Sequence, residues 1–245
     1  MQRLLPNPGP TTVEEQLAGL DLIDLAYADR PYVVLNFAVT LDGRAAIEGR
    51  AGPIGSRTDM EMLQLLRTHA DAVMIGAGTM RAERYGRMVS DPSLRARRER
   101  AGLAHDPLAV VVSGRLDLPW DAGLFTDGGG RVTVFTTAEA EPPETETPVQ
   151  VIRQAAAGID LPEALRYLRQ ERGIRALLCE GGPGLHSQLQ ALGLADELFL
   201  TTAPKLTGGA EPRLVEGELP EVVDFELAWL LESDGELFAR YRRCG

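Results

Sequence analysis

The chain has 245 residues, 44% of them hydrophobic, and a formal net charge of −11, which suits one large globular domain or two small ones. The negative charge argues against nucleic acid or an anionic membrane as a partner, because both require clustered positive charge. The sequence has two cysteines and no CxxC pair. It shows neither a signal-peptide pattern nor an apolar run of membrane-spanning length. We therefore expect a cytoplasmic protein.

The first elements are predicted from hydrophobic patterning and capping signals. Residues 1–30 are predicted to form an N-terminal arm, which includes an amphipathic helix over residues 13–28. A strand over residues 32–39 follows, rich in β-branched and apolar residues. Thr58 and Glu61 have the spacing of a capping box, which predicts that a helix begins near Thr58.

Beyond this helix, strands and helices alternate along the chain. The predicted strands span 72–75, 108–113, 132–136, 149–152, 176–180 and 197–202. The predicted helices span 94–103 and 161–172, and a third follows Gly184 and extends to about Leu192. The alternation predicts an α/β fold with a mostly parallel central sheet and helices on both faces. Residues 225–231 and 237–242 predict a C-terminal antiparallel hairpin. Without a repeat or a linker, residues 31–245 are predicted to form a single domain.

Two predicted strands end in glycine-rich turns, at Gly76-Ala77-Gly78-Thr79 and at Gly181-Gly182-Pro183-Gly184. Ligands bind at the carboxyl ends of strands in open α/β sheets, and glycine lets backbone amides approach a phosphate closely. Two such turns suit a dinucleotide pyrophosphate, although an ordinary tight turn is the better interpretation of either one alone. Neither matches the Rossmann fingerprint or the P-loop.

Two further strand ends carry polar groups. Ser113 and Arg115 would suit the 2′-phosphate of NADP, and an ordinary turn with a solvated arginine is an equally good interpretation. Asp42, in Thr40-Leu41-Asp42-Gly43, is a candidate catalytic or substrate-binding carboxylate. Asp-Gly is also a common turn, and the turn is favoured without other evidence.

Several other reactive residue types receive a structural interpretation. His69, His105 and His186 have no metal-ligand spacing, so no metal site is predicted. For His186, contact with the cofactor is one interpretation, and a position on the helix surface is the favoured one. Cys179 is predicted as a small core residue. The arginine-rich run over residues 95–100 is predicted as a solvated helix face.

Three blocks, in the same order along the chain, resemble the pyrimidine reductase domain of riboflavin biosynthesis. They are 36–43, then 66–67 with 71–79, then 180–183 followed by 195–198 and 203–204. The resemblance covers roughly residues 32–242. It implies a dihydrofolate-reductase-like fold, an NADPH cofactor and a homodimer. It also implies hydride transfer to the ribose carbon of 5-amino-6-(5-phosphoribosylamino)uracil, which gives the ribitylamino product.

The resemblance also implies roles for individual positions. The residues implied to bind NADPH are Ala38, Ile54, Gly78, Thr79, Ser113, Arg115, Gly181, Gly182, Gly184 and Leu185. The residues implied on the substrate side are Thr40, Asp42, Ser56, Arg67 and Glu180. The family follows its glycine-threonine turn with an Asp-Asn-Pro-like stretch, whereas this chain has Arg81-Ala82-Glu83-Arg84-Tyr85-Gly86. Glu83 therefore replaces the aspartate and the proline is lost, which leaves the substrate open. Either Glu83 or Asp42 is predicted to donate or relay a proton.

Other functions are kept as alternatives. One is a reductase of the same fold that acts on a dihydropterin or dihydrofolate, and another is a non-catalytic NADP-binding dimer. A short-chain dehydrogenase is disfavoured, because Lys205 is the only lysine and no Tyr-x-x-x-Lys pair exists. The zinc deaminase signature is also missing, so deamination of the pyrimidine would require another protein.

Overall fold

The computed structural model describes residues 1–155 and 158–244. In chain order the strands are β1 (Gln2–Leu5), β2 (Gly9–Pro10), β3 (Tyr32–Val39), β4 (Ala72–Gly76), β5 (Leu108–Val112), β6 (Val132–Thr136), β7 (Val149–Arg153), β8 (Ala176–Cys179), β9 (Glu197–Thr202), β10 (Phe225–Ser233) and β11 (Glu236–Arg243). The helices are α1 (Val13–Leu17), α2 (Arg57–Leu66), α3 (Ala77–Glu83), α4 (Pro92–Arg100), α5 (Gly123–Thr126), α6 (Leu161–Gln170) and α7 (Pro183–Ala191), with short 3₁₀ turns at Ile23–Leu25 and Arg67–His69. No helix of this described part is long and apolar enough to cross a bilayer.

Two compact units share these elements. The first unit combines residues 1–20, 33–66 and 183 onward, and the second unit combines residues 21–32 and 67–182. Residues 1–30, predicted as an arm, contain β1, which pairs antiparallel with β10 of the first unit. The predicted domain bounds stay a prediction.

The first unit has a mixed sheet in the order β2-β1-β10-β11-β9-β3. β3 and β9 run parallel, and the remaining pairs are antiparallel. The predicted C-terminal hairpin is confirmed as β10 and β11. It turns at Asp234 and Gly235, both with positive φ (51° and 82°), a conformation that an Asp-Gly pair tolerates.

The second unit has an all-parallel sheet in the order β8-β4-β5-β6-β7. Every residue of β6 and β8 is buried, and only the last residue of β4 and of β5 is half-buried. Because successive side chains of a strand point to opposite faces, these strands are covered on both faces. The predicted buried parallel sheet is therefore confirmed.

Local signals near helix ends were partly misleading. The helix predicted over residues 13–28 is only α1, since helix-disfavouring Gly19 and Asp21 follow it, and a capping box joins Thr12 and Glu15 at its start. At α2 the predicted Thr58 capping box is wrong. Ser56 supplies the cap instead, because its hydroxyl accepts the Thr58 amide at 3.1 Å.

The arginine-rich helix α4 does not present a uniformly solvated face. Arg98 is fully buried, and it donates to the carbonyl oxygens of Arg67, Ala70 (2.7 Å) and Ala104 (2.8 Å). Burial lowers the pKa of Arg98 to about 10. The predicted solvated face is wrong at this position, because the guanidinium ties α4 to the 3₁₀ turn that carries Arg67.

Candidate active site

The two glycine-rich turns lie side by side at the carboxyl edge of the second unit's sheet. They follow β4 and β8, which are parallel neighbours. The Gly76 amide donates to the Gly181 carbonyl at 2.6 Å. A Cβ added at Gly182 would lie 2.6 Å from the Thr79 hydroxyl oxygen, so the approach of the two turns requires glycine there. The predicted proximity of these turns is therefore present in the structure.

Two other glycines have open space beside their backbone. Gly78 lies in the first turn of α3, and Gly184 lies in the first turn of α7 in the first unit. An added Cβ at either position would meet no atom within 4 Å. Open space beside a glycine backbone suits a phosphate, which needs close access to backbone amides. Leu185, the next predicted cofactor residue, has a buried side chain.

Arg67 and Glu180 form a buried ion pair beside the turns. Arg67 Nε and Nη2 each donate to one Glu180 carboxylate oxygen at 2.7 Å, and Nη1 donates to the Met88 carbonyl at 2.7 Å. Their residues are only 6% and 9% exposed. Burial alone would lower the pKa of Arg67, but the adjacent Glu180 carboxylate outweighs it and the pKa is raised. All three guanidinium nitrogens of Arg67 thus have protein partners.

Sequence reasoning did not identify Tyr85 as part of this group. Its ring is packed beside the ion pair, with the ring centroid 5.7 Å from Arg67 Cζ. Burial and the Glu180 charge raise the pKa of Tyr85 well above its usual range, so the phenol stays protonated at neutral pH. Glu83, the predicted catalytic residue of the same stretch, is half-buried at the end of α3 and acts on Tyr85 electrostatically.

The stretch that carries Tyr85 is held although it lacks the family's proline. Its two arginines and Arg87, which directly follows it, contact aspartates further along the chain. Arg81 donates to the Asp117 carbonyl at 2.7 Å, Arg84 pairs with Asp121 at 2.6 Å, and Arg87 binds Asp106 with two bonds of 2.6 and 2.7 Å. The Tyr85 carbonyl also accepts the Leu124 amide at 2.8 Å. Each exposed ion pair contributes little to the free energy of folding. The partly buried guanidinium of Arg87 contributes more, because it binds the Asp106 carboxylate with two parallel hydrogen bonds.

Ser113 and Arg115 follow β5 in a turn with fixed backbone. The Ser113 amide donates to the Phe135 carbonyl at 3.0 Å, and the Gly114 carbonyl accepts the hydroxyls of Thr136 and Thr137 at 3.3 and 3.0 Å. Ser113 is buried and Arg115 is exposed. In the part of the chain that the structure describes, the Arg115 side chain has no hydrogen bond or ion pair, so it is available to an anionic ligand.

Asp42 and Thr40 belong to a turn of the first unit. The Thr40 hydroxyl donates to Asp42 at 2.7 Å, and the amides of Thr207 and Gly208 donate to the same carboxylate at 3.3 and 2.9 Å. Led by the Thr40 contact, these bonds lower the pKa of Asp42 to about 2. Asp42 is therefore a carboxylate at neutral pH, which can accept a hydrogen bond but has no proton to donate.

Ser56 joins a second carboxylate group in the first unit. Its hydroxyl donates to Glu236, which is buried, and it accepts the Asp59 amide at 3.3 Å. Burial raises the pKa of Asp59, and the neighbouring Glu236 charge adds to the effect. The Ser56 hydroxyl is thus already engaged by the protein on both its donor and its acceptor side.

The two positions predicted beside the nicotinamide have fixed backbones in the first unit. Ala38 lies in β3 opposite Thr201 of β9. The Ile54 carbonyl accepts the ammonium group of Lys205 at 2.7 Å, and the Pro53 carbonyl accepts it at 2.8 Å. The single lysine of the chain therefore holds the loop ahead of α2.

Cys179 and His186 were both given a structural interpretation from the sequence, and only the one for Cys179 is confirmed. Cys179 is fully buried in β8, as predicted, and burial raises the pKa of its thiol to about 12. The assignment of His186 to a helix surface is wrong, because it is 1% exposed with its ring 4.6 Å from that of Phe37. Burial lowers the pKa of His186 to about 4, so its ring is neutral.

Comparisons with known proteins agree with this architecture. The model of the RibD C-terminal domain family matches residues 31–237. A 2,5-diamino-6-ribosylamino-4(3H)-pyrimidinone 5′-phosphate reductase of Archaeoglobus fulgidus is 32% identical over 195 residues, which are 77% of this chain and 88% of that protein. The riboflavin biosynthesis protein RibD of Bacillus amyloliquefaciens is 32% identical over 77% of this chain and 50% of its own length.

Solved structures confirm the predicted fold. A pyrimidine reductase-like protein from Corynebacterium diphtheriae superposes with a TM-score of 0.79 and 26% identity, covering 96% of this chain and all of that one. The match therefore extends over almost the whole chain. With a family match over most of its length, this chain belongs to the RibD C-terminal domain family.

Proposed function

We propose that this protein is an NADPH-dependent reductase that converts 5-amino-6-(5-phosphoribosylamino)uracil to its ribitylamino product. The observation that carries the proposal is the contact between the two glycine turns, through Gly76 and Gly181 at 2.6 Å, beside the buried Glu180 carboxylate. Membership in the RibD C-terminal domain family supports it, as do relatives named as reductases of ribosylaminopyrimidine phosphates.

The cofactor would be held mainly by backbone groups. Those proposed for the phosphates are Gly78, Thr79, Gly181, Gly182, Gly184 and Leu185, with Ser113 and Arg115 at the adenosine end and Ala38 and Ile54 beside the nicotinamide. A nicotinamide nucleotide supplies the hydride, since no protein side chain can. The open backbone at Gly78 and Gly184 fits this assignment, and so does the Arg115 guanidinium, which has no hydrogen bond or ion pair with the residues that the structure describes.

The substrate side would involve Thr40, Asp42, Ser56, Arg67 and Glu180. Of these, Arg67 and Ser56 already have protein partners, so their contribution is to hold neighbouring carboxylates in place. Proton transfer by Glu83 stays a prediction. Asp42, with a pKa of about 2, would act only as an acceptor. A homodimer, as the resemblance implies, is also proposed, and light scattering in solution would test it.

A second acceptor is favoured by the names of two relatives. The reductases of Archaeoglobus fulgidus and Methanothermobacter thermautotrophicus, 32% and 33% identical to this chain, are named for a diaminopyrimidinone that keeps the amino group of the ring. Both acceptors carry the same phosphoribosylamino arm. The reaction at the ribose carbon is therefore shared, and only recognition of the ring differs.

The first experiment is an assay of NADPH oxidation with purified protein. Each of the two ribosylaminopyrimidine phosphates is offered in turn, with dihydrofolate as the alternative acceptor. Oxidation with either pyrimidine, and formation of the ribityl product by mass spectrometry, would support the proposal. If NADPH is oxidised only with dihydrofolate, the protein is a dihydrofolate-type reductase of the same fold. If NADPH binds but is not oxidised with any acceptor, the non-catalytic NADP-binding dimer is favoured.

The second experiment tests the cofactor through Arg115. Arg115→Ala removes the guanidinium proposed for the 2′-phosphate, and a charge-assisted hydrogen bond of this kind is worth roughly tenfold or more in affinity. Titration should show that the Kd for NADPH rises while the Kd for NADH is unchanged. Arg131→Ala is the matched control, because Arg131 is also exposed but precedes β6, at the amino edge of the same sheet. Equal losses for both cofactors would exclude the 2′-phosphate role.

A further inference from the structure

Arg98 is a buried arginine outside the proposed cofactor and substrate residues, and it contacts the turn that carries Arg67. Its side chain is fully buried. Nη1 donates to the carbonyl oxygen of Arg67 and, at 2.7 Å, to that of Ala70, and Nε donates to the Ala104 carbonyl at 2.8 Å. One guanidinium therefore caps the end of α2 and its 3₁₀ turn, where the last carbonyl groups of a helix lack amide partners.

The cost of burying this guanidinium indicates that Arg98 contributes more than packing. Within the described residues its hydrogen-bond partners are carbonyl oxygens instead of carboxylates, and Nη2 is buried without a partner there. Burial lowers the pKa of Arg98 to about 10, which means that the site disfavours the charged form. An apolar side chain would fill the same space without desolvation of a charge. What the guanidinium adds is a rigid set of donors that joins three carbonyl groups.

Arg67 connects the position of this turn to Glu180. Its Nε and Nη2 donate to the two Glu180 carboxylate oxygens, and its Nη1 donates to the Met88 carbonyl, each at 2.7 Å. The Glu180 backbone is held separately, because its amide donates to the Met74 carbonyl at 2.9 Å. The direction of the Glu180 carboxylate is therefore set by Arg67, and a fork of two hydrogen bonds tolerates little displacement of the backbone that carries it.

We infer that Arg98 is a positioning residue for the proposed substrate carboxylate: it fixes the turn from which the Arg67 guanidinium orients Glu180. The inference rests on the proposed reductase function, in which Glu180 binds the acceptor. Arg98 itself touches neither the acceptor nor the cofactor. Its loss should weaken acceptor binding, because a displaced carboxylate leaves a hydrogen-bond donor of the acceptor unpaired, and it should leave cofactor binding unchanged.

The test is Arg98→Met, which keeps a long side chain and removes its donors. The KM for the ribosylaminopyrimidine phosphate should rise about tenfold, the scale of one hydrogen bond to a charged group, with kcat and the Kd for NADPH nearly unchanged. Arg98→Lys keeps the charge but loses the planar fork, so its KM should rise about threefold. This milder variant carries the test even if Arg98→Met does not fold. An unchanged KM in Arg98→Lys would overturn the inference, and so would an equal loss of NADPH affinity.

Arg240→Met is the matched control for lost stability. Arg240 lies in the first unit, is half-buried, and binds the fully buried Glu197 carboxylate with two hydrogen bonds of 2.7 Å. Its removal should lower the melting temperature, because Glu197 is left with less counter-charge, but KM should not change. If KM rises equally in the Arg240 and Arg98 variants, instability alone accounts for the effect and the inference is wrong.

A double-mutant cycle tests whether Arg98 acts through Arg67. Arg67→Lys keeps a positive charge beside Glu180 but loses the fork, so adding Arg98→Lys to it should raise KM no further. Additive increases would contradict the inference. If the wild-type protein oxidises NADPH with neither pyrimidine, the proposed function fails and the inference fails with it. If the wild-type protein is active and only the variants depart from these expectations, the inference alone fails.

Discussion

Glu180 in the second unit and Asp42 in the first unit are both carboxylates beside glycine in the sequence, and both were predicted on the substrate side. Glu180 is 9% exposed and both of its carboxylate oxygens accept hydrogen bonds from Arg67. Asp42 lies in a more exposed turn, where a hydroxyl and two backbone amides hold it. Similar sequence contexts thus contain two different kinds of carboxylate. Glu180 is a buried charge that depends on a distant arginine, whereas the hydrogen bonds of Asp42 come from its own turn and a neighbouring loop.

The largest effect that separates the two carboxylates is expected from Glu180→Gln. The substitution leaves the Arg67 guanidinium buried without a counter-charge, and removing one partner of such a pair costs about 3–5 kcal/mol. Chemical denaturation should therefore show a large fall in the free energy of unfolding, together with loss of reductase activity.

A paired variant distinguishes stability from function at this site. Replacing both charges, in Arg67→Met/Glu180→Leu, should restore most of the stability, because an apolar pair of similar volume requires no desolvation of charge. Activity should stay lost. A Glu180→Gln protein as stable as the wild type would contradict the view that this carboxylate compensates a buried cation.

Asp59 gives a third case for the comparison of carboxylates. Like Glu180 it is partly removed from solvent, but the charge near it is a second carboxylate, Glu236, instead of an arginine. Its folded pKa is raised by burial and by Glu236, so its contribution to stability is fully present below the unfolded pKa of 3.8 and is lost as pH rises through the folded pKa. Asp59→Asn should therefore raise the melting temperature at neutral pH, by an amount that corresponds to about 1 kcal/mol.

The pH dependence provides the control for Asp59. Below about pH 4 the wild-type carboxyl is itself neutral, so the two proteins should have nearly equal melting temperatures. A stabilisation of equal size at low and neutral pH would point to a change in packing instead of charge.

Much of the fold was accessible from the sequence, since it depends on local periodicity. Strand β6 was predicted at its observed bounds, and the C-terminal hairpin and the buried parallel strands follow from alternation and apolar runs. The proximity of the two glycine turns also followed, because neighbouring parallel strands end at one edge.

The residues that sequence reasoning missed depend on long-range packing. Arg98 occurs in a charged run, and nothing local distinguishes it from Arg97, which is only half-buried. Its burial arises from three carbonyl groups that the 3₁₀ turn and the segment after α4 bring together. Tyr85 was missed because the path of the chain after α3 turns on Arg84, whose φ is +49°, and the family pattern directed attention to Glu83.

The smallest effect is expected at Asp42, where the comparison with Glu180 predicts a change in stability but little in chemistry. Its folded pKa of about 2 lies below the ordinary 3.8, so its contribution is present above pH 3.8 and is lost as pH falls towards 2. Asp42→Asn should lower the melting temperature slightly at neutral pH, and the difference should vanish in acid. Turnover should change by no more than about twofold, because the group has no proton to donate near neutral pH. A much larger fall in kcat with unchanged NADPH affinity would show instead that Asp42 contacts the reacting acceptor, and the two carboxylates would then share one role.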